Sequence, residues 1–248
     1  MALVFDPAYQ GQSGGEPRDL ESPAARVEDI RSAVDYLVTQ SFVDADRIGV
    51  LGICAGGGYA VNAALTEKRL RAVGVVVPVN IGRARRAYAQ AQGALIDTLV
   101  EVGVQRTQEA RGGVPRRDPW IPDTPEQAKD AGVTDPDLLE AVEFYRTPRG
   151  YSPHSTNRLY FNSTALLMGF DAFHLVDPLL TQPLQVVVGG RKGNTGSYDD
   201  GQWLVDHAPG ETDLLVIDGA GHYALYDRPE YVDPAVERLA AFYARTLA

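Results

Sequence analysis

The chain has 248 residues, 44% of them apolar, and a net charge of −10, which is typical of a globular protein with room for one α/β core and an insertion. The negative charge argues against nucleic acid or an anionic membrane as a partner, because the phosphates would repel the protein. No apolar run could span a bilayer, the first residues lack the basic region of a signal peptide, and the single cysteine excludes an internal disulfide. We therefore expect a cytoplasmic protein.

Strand-like and helix-like segments alternate through the first 80 residues, as they do in repeated βαβ units. We predict a short strand at residues 2–5, then a Gly-rich turn and a helix that begins at the Ser22-Pro23 cap. The next strand is residues 47–53, whose unbroken apolar character is typical of a central strand covered on both faces. A helix follows residues 56–58, and residues 72–77 are predicted as a further parallel strand.

The alternation of strand-like and helix-like segments stops over residues 81–180, which are rich in prolines and charged residues. Because such a stretch is too long for one loop of a compact domain, we predict an inserted helical lid. Strands resume at residues 184–188 and 213–217, and a helix that begins near Pro234 closes the chain. The expected fold class is α/β, with a mostly parallel sheet and helices on both faces. Its predicted parts are a first core segment, the lid and a second core segment, at residues 1–80, 81–180 and 181–248.

The hexapeptide Gly52-Ile-Cys-Ala-Gly-Gly57 lies between an apolar strand and a helix, which is the setting of a nucleophile elbow. The sharp turn crowds the backbone, so we expect small residues two positions to either side of the nucleophile, at Gly52 and Gly56. The turn would raise the Cys54 side chain above the sheet and leave the Ala55 N–H to stabilise an oxyanion. The helix N-terminus also favours a thiolate. The simpler interpretation is a small buried cysteine beside glycines that only pack a helix.

His222 lies in a Gly-rich loop after the last predicted strand, where the base that serves an elbow nucleophile is expected. Taken alone it could be a solvated surface histidine, but paired with Cys54 it is predicted to be the catalytic base. The other three histidines lack this context and are expected to be structural or to line the lid: His154, His174 and His207. The histidines show no metal-ligand spacing, so we predict neither a metal nor a cofactor.

Four segments resemble a bacterial branch of the α/β-hydrolases that is related to the fungal polyketide transferase and thiohydrolase proteins: residues 5–15, 51–59, 145–151 and 221–231. The elbow alone is similar to that of the dienelactone hydrolases, which use a Cys-His-Asp triad. This resemblance implies the α/β-hydrolase fold with Cys54 and His222 in its site. It implies less about the reaction, because the substrates of the branch are poorly defined.

Two departures from the family pattern affect these expectations. The triad acid would follow the strand at residues 184–188, but Gly193 stands at that position, while Asp199 and Asp200 are expected to begin the next helix. A thiol ionises more readily than a serine hydroxyl, so Cys54 and His222 could act as a dyad without a strong acid.

The second departure is at the N-terminus. By resemblance, residues 2–5 match the family's fourth strand, so the earlier strands and the loop that donates a second oxyanion N–H would be missing. Such a loss would leave unpaired edges in the sheet. We therefore expect the native protein to be longer by roughly 40–70 residues. An incomplete edge could also recruit a second copy, which would give a homodimer.

These observations favour an enzyme that hydrolyses or transfers a small-molecule ester or thioester through an acyl group on Cys54. The aromatic residues of the insertion would then cover the pocket and set the size of the substrate. A dienelactone-type hydrolase of small esters is the alternative enzyme on the same machinery. A non-catalytic hydrolase-fold protein that binds an apolar ligand or a partner also remains open, because the acid and the oxyanion loop are unplaced.

Overall fold

The computed structural model describes residues 1–248, which form two compact units. We call residues 27–81 and 171–248 the sheet unit, and residues 1–26 and 82–170 the insertion unit. The strands are β1 (Ile48–Ile53), β2 (Leu70–Val76), β3 (Arg117–Pro119), β4 (Arg158–Tyr160), β5 (Leu184–Gly189) and β6 (Thr212–Ile217). The helices are α1 (Pro23–Val38), α2 (Ala55–Thr66), α3 (Ile81–Ala91), α4 (Leu95–Ala110), α5 (Pro125–Asp130), α6 (Pro136–Arg146), α7 (Ser163–Met168), α8 (Val176–Leu179), α9 (Ser197–His207), α10 (Ala224–Asp227) and α11 (Pro229–Thr246).

The sheet unit is built on four parallel strands in the order β1-β2-β5-β6. Strand β5 is buried along its whole length and β2 at all but one position, which accounts for their valine-rich sequences. Because all four strands run in the same direction, the loops that follow them emerge at one edge of the sheet. This arrangement confirms the predicted α/β fold class with a mostly parallel sheet.

The closing helix α11 packs against this sheet through an apolar cluster that includes Leu239. Tyr243 lies over Gly49 of β1 and Gly74 of β2, where the missing side chains leave room. Its hydroxyl donates a 2.5 Å hydrogen bond to the Val50 carbonyl oxygen. A Cβ atom at Gly74 would overlap the Tyr243 hydroxyl. The absence of a side chain at Gly74 therefore leaves the space that Tyr243 of α11 occupies on this face of the sheet.

Two predictions about the strands are wrong. Residues 2–5 form no strand, and Val4 is 89% exposed. Strand β1, predicted to be central and covered on both faces, pairs only with β2 and lies at the edge of the sheet. Leu51 and Ile53 are accordingly 49% and 46% exposed. An apolar run indicates a strand, but its place in the sheet depends on pairing with distant residues.

The start of the last helix was also predicted wrongly. Helix α11 begins at Pro229, and Pro234 lies inside it. Proline is favoured in the first turn, where the backbone N–H has no partner within the helix. Pro234 is the sixth residue of α11, just beyond that turn. Its missing N–H removes only one hydrogen bond near the start of the helix, so the helix continues through it.

The insertion unit contains five helices, α3 to α7, and the two-stranded antiparallel sheet of β3 and β4. The N-terminal segment joins it through Asp19, whose carboxylate accepts hydrogen bonds from Thr156 (2.7 Å) and Arg117 (3.1 Å). The Asp19 carbonyl oxygen also accepts a 2.8 Å bond from the Tyr160 N–H. The predicted division into core, lid and core at residues 80 and 180 stays a prediction.

None of the helices has both the length and the apolar character required to cross a membrane.

Candidate active site

Cys54 occupies a sharp turn between β1 and α2. Its backbone has φ 56° and ψ −129°, a left-handed conformation that is strained for a residue with a side chain. Three backbone hydrogen bonds hold it there: the Cys54 N–H donates to Val76, and the Cys54 carbonyl oxygen accepts from Gly57 and Val79, all at 2.9–3.0 Å. Cys54 is a free cysteine and is half-buried. A strained turn between a strand and a helix is the backbone geometry expected of a nucleophile elbow.

Close backbone approaches around the elbow explain two of its glycines. A Cβ atom at Gly52 would overlap the carbonyl oxygen of Gly56, and one at Gly58 would overlap the carbonyl oxygen of Val79. Gly56, by contrast, has open space where its Cβ would lie. The prediction that Gly56 is needed to relieve crowding is therefore wrong, and the second tight position is Gly58, inside α2.

A buried carboxylate supports the segment that holds the elbow. The Asp200 side chain is 4% exposed and accepts a 2.7 Å hydrogen bond from the N–H of Asn80, the residue after Val79. The Asn80 amide donates to Asp171 at 2.7 Å and accepts from the Ala172 N–H at 3.3 Å. Asp200 thus holds the backbone of Asn80. The residue before it, Val79, donates its N–H to the Cys54 carbonyl oxygen.

His222 lies in the loop between β6 and α10 and is only 3% exposed. Its Nδ1 atom is 3.0 Å from the Ser197 Oγ and 3.3 Å from the Thr195 Oγ1. Its Nε2 atom is 3.1 Å from the Tyr226 hydroxyl. The side of the ring lies near Tyr223, with ring centroids 4.7 Å apart. The imidazole is thus held at both nitrogens by hydroxyl groups.

Two of these hydroxyls come from the region after β5, where the family's triad acid would lie: Thr195 in the loop and Ser197 at the start of α9. Asp199 and Asp200 lie in the first turn of α9, as predicted. Asp199 forms an exposed 2.7 Å ion pair with Lys192, and Asp200 accepts the hydrogen bond from Asn80. From this region, the Thr195 and Ser197 hydroxyls lie beside the His222 ring.

The remaining predicted residues lie in simpler surroundings. Ala55 is the first residue of α2, where the backbone N–H groups have no acceptor within the helix. His154 and His174 are exposed, and His207 stacks on Trp203 with centroids 4.0 Å apart. No group of three or more His, Cys, Asp or Glu side chains is arranged to hold a metal ion.

The sequence indicated Cys54 and His222 as candidate site residues but not the hydroxyl groups around the His222 imidazole. Tyr226 lies four residues after His222, a spacing that could have indicated a contact on one side of a helical turn. Thr195 and Ser197 are 27 and 25 residues before His222. No local pattern marks side chains at that separation. Cys54 follows β1 and His222 follows β6, so both lie at the carboxyl-terminal end of the parallel strands, after the two outer strands of the sheet.

The fold and the elbow define a member of the α/β-hydrolase superfamily. A model of the "Alpha/beta hydrolase family" matches residues 2–235, so the chain belongs to this family. Among its relatives, Escherichia coli YcjY is 39% identical over 251 residues, covering all of this chain and 79% of that protein. Pseudomonas aeruginosa PA2218 is 30% identical, covering 98% of this chain and 64% of that protein. The crystal structure of PA2218 superposes with a TM-score of 0.85 and covers 98% of this chain and 74% of that one.

More distant fungal relatives have named activities. A thiohydrolase of Eupenicillium brefeldianum is 24% identical and covers 93% of this chain and 72% of the relative. The polyketide transferase claH of Penicillium crustosum is 26% identical and covers 90% and 71%, respectively. The resemblance to the thiohydrolase and polyketide transferase proteins is thereby confirmed.

Proposed function

We propose that this chain is an acyl-transfer enzyme that hydrolyses or transfers esters or thioesters through a covalent acyl group on Cys54. The observation that supports the proposal is the strained, hydrogen-bonded turn at Cys54, at the same carboxyl-terminal end of the parallel strands as the loop that holds the buried imidazole of His222. The named activities of the fungal relatives, thiohydrolase and polyketide transferase, are of this class.

The first half-reaction acylates the enzyme. His222 takes the proton of the Cys54 thiol, and the thiolate adds to the substrate carbonyl carbon. The carbonyl oxygen becomes an oxyanion, which the Ala55 N–H at the start of α2 would stabilise. When the tetrahedral intermediate collapses, its bond to the leaving alcohol or thiol breaks. The leaving group takes the proton from His222, and the acyl group stays on sulfur.

The second half-reaction releases the acyl group. His222 removes a proton from water or from an acceptor alcohol, whose oxygen adds to the acyl-thioester carbon. Collapse of this second intermediate expels the Cys54 thiolate, which regains a proton from His222. Water yields a carboxylic acid and an alcohol yields a new ester, so one site supports both hydrolysis and transfer. The hydroxyls of Ser197 and Thr195 beside Nδ1 would orient the ring in both steps.

Acylation of the single cysteine tests the proposal. With 4-nitrophenyl acetate or a short-chain thioester, we expect a burst of product and one acetyl or acyl mass increment on the peptide that contains Cys54. Cys54→Ala should show neither, and His222→Ala should acylate about 10²- to 10⁴-fold more slowly. Because the chain contains one cysteine, loss of the mass increment in Cys54→Ala identifies the nucleophile.

The controls separate an enzyme from a binding protein of the same fold. His174→Ala changes an exposed histidine outside the elbow and the His222 loop and should acylate at the wild-type rate. If the wild-type protein is folded but gains no acyl group, or if Cys54→Ala turns over equally fast, the proposal is wrong and a ligand-binding role is favoured.

A further inference from the structure

The contact between Tyr226 and His222 bears on which ring nitrogen of His222 carries the proton. The Tyr226 hydroxyl is 3.1 Å from Nε2, and the two ring centroids are 5.6 Å apart at a 52° tilt. This is an edge contact between a hydroxyl and a ring nitrogen rather than stacking of the rings. The opposite nitrogen, Nδ1, is 3.0 Å from the Oγ atom of Ser197. Both nitrogens of a nearly fully buried imidazole thus have an oxygen partner.

The chemistry of the two oxygens indicates which nitrogen carries the proton. A neutral imidazole has one N–H donor and one acceptor lone pair, so one neighbouring hydroxyl must accept and the other must donate. A phenol is more acidic than an aliphatic alcohol, which makes it the better donor and the weaker acceptor. The favoured arrangement has Nδ1–H donating to Ser197 and the Tyr226 O–H donating to Nε2.

Thr195 supports the same arrangement. Its hydroxyl lies 3.4 Å from the Ser197 Oγ as a donor and 3.3 Å from His222 Nδ1. The Ser197 oxygen can therefore accept from the ring while Thr195 orients it. The two aliphatic hydroxyls form an acceptor site on the Nδ1 side of the imidazole.

We propose that Tyr226 is a positioning residue that sets the tautomer of His222, with the proton on Nδ1 and the lone pair on Nε2. The hydroxyl keeps its own proton throughout and turns aside when Nε2 accepts one. A triad carboxylate selects the same tautomer by accepting from Nδ1–H; here a donor does so from the other side of the ring. The consequence for catalysis rests on the proposed function, whereas the tautomer itself does not.

Nitrogen NMR of ¹⁵N-histidine-labelled protein measures the tautomer directly. In the wild-type protein we expect neutral His222 to carry its proton mainly on Nδ1, the reverse of the preference of free histidine. In Tyr226→Phe, the ratio of the Nδ1–H to the Nε2–H form should fall about 2- to 10-fold, the effect of losing one neutral hydrogen bond. Tyr231→Phe is the matched control, because its hydroxyl lies beside Gly219; it should keep the wild-type ratio.

Two results would overturn the inference: a mainly Nε2–H tautomer in the wild-type protein, or an unchanged ratio in Tyr226→Phe. If Tyr226→Phe does not fold, the wild-type spectrum still tests the tautomer, and a mainly Nε2–H form would overturn the inference.

Kinetics connects the tautomer to turnover. With an ester that acylates Cys54, Tyr226→Phe should lower kcat about 2- to 10-fold and leave KM unchanged. A purely structural role would lower thermal stability without changing the tautomer ratio. The two proposals also fail separately, since absent acylation contradicts the proposed function, while an unchanged tautomer contradicts only the role of Tyr226.

Discussion

Neighbouring glycines of the elbow differ in what their positions tolerate. Gly52 lies against the backbone of Gly56 and Gly57, whereas Gly56 faces open space. A backbone atom cannot move aside as the end of a flexible side chain can, so a methyl group at Gly52 must displace the turn itself. The strained conformation of Cys54 depends on this turn.

Single alanine substitutions at these two glycines form a matched pair. We expect Gly52→Ala to lower the free energy of unfolding by about 1–3 kcal/mol, because it overpacks a rigid backbone contact. Gly56→Ala should be neutral or stabilise the protein by up to about 1 kcal/mol, since it adds a better helix former to α2. Urea unfolding measures both. Equal losses in the two variants would contradict the steric account.

Tyr243 of helix α11 makes specific contacts with two strands of the sheet. Its hydroxyl reaches the Val50 carbonyl oxygen of the edge strand β1, and its ring fills the space above Gly74 of β2. Burial raises the pKa of Tyr243 well above its usual range, although a hydrogen bond with the Gly74 backbone acts in the opposite direction. One side chain thus links helix α11 to two strands.

Tyr243→Phe should remove this link with little change of shape. We expect a loss of about 1 kcal/mol near neutral pH, because the Val50 carbonyl oxygen loses its donor. The folded protein keeps the Tyr243 proton at a pH where the unfolded chain loses it, so this stabilisation disappears as pH rises above the ordinary value of 10.0.

Stability of the Phe variant should therefore fall less steeply in alkali than that of the wild type, as measured by urea unfolding at about pH 8 and about pH 10.5. Tyr36→Phe, at a 55% exposed position of α1, should follow the wild-type curve. A steeper alkaline loss in Tyr243→Phe would contradict the assignment.

Across the whole molecule, structural carboxylates favour neutral over acidic pH. A hydrogen bond from Arg158, followed by one from Asn157, lowers the pKa of Asp123 below 3.8. Arg69 similarly lowers the pKa of Glu67 in the sheet unit. For Glu109, burial acts to raise the pKa, but hydrogen bonds led by that from Tyr160 outweigh it and the pKa is lowered. Both units therefore contain carboxylates that the folded state keeps ionised.

Acid should consequently destabilise the protein. The pKa values of these carboxylates are lower in the folded than in the unfolded state, so their contribution is present at neutral pH and is lost as pH falls below about 4. We expect Asp123→Asn to cost about 0.5–1 kcal/mol at neutral pH, as for a partly exposed ion pair, and to show a smaller further loss in acid. Thermal unfolding at about pH 7 and about pH 3 tests this.

Glu237→Gln, an exposed change on α11, is the control for acid unfolding and should match the wild type at both pH values. If Asp123→Asn is as stable as the wild type at neutral pH, the Arg158 contact contributes nothing to stability.

Much of the candidate site was predictable because its signals are local. The strand, the turn residues around Cys54 and the following helix are adjacent in sequence, so the local pattern was sufficient to locate the strand-to-helix turn. The strand expected at residues 2–5 and the central position expected for β1 were wrong. Each depended on a pairing partner, and pairing between strands is not encoded in the periodicity of one segment.

By itself, the sequence determined the fold family and located the strand-to-helix turn at Cys54 and the loop that carries His222. Only the tertiary structure showed that Asp200 supports the segment beside the elbow and that Ser197 and Tyr226 contact the two ring nitrogens. The physical reason is range. Turn chemistry and hydrophobic periodicity act between close neighbours in the chain, whereas a hydrogen bond between residues 25 or 120 positions apart depends on strand order and on the path of the loops at the edge of the sheet.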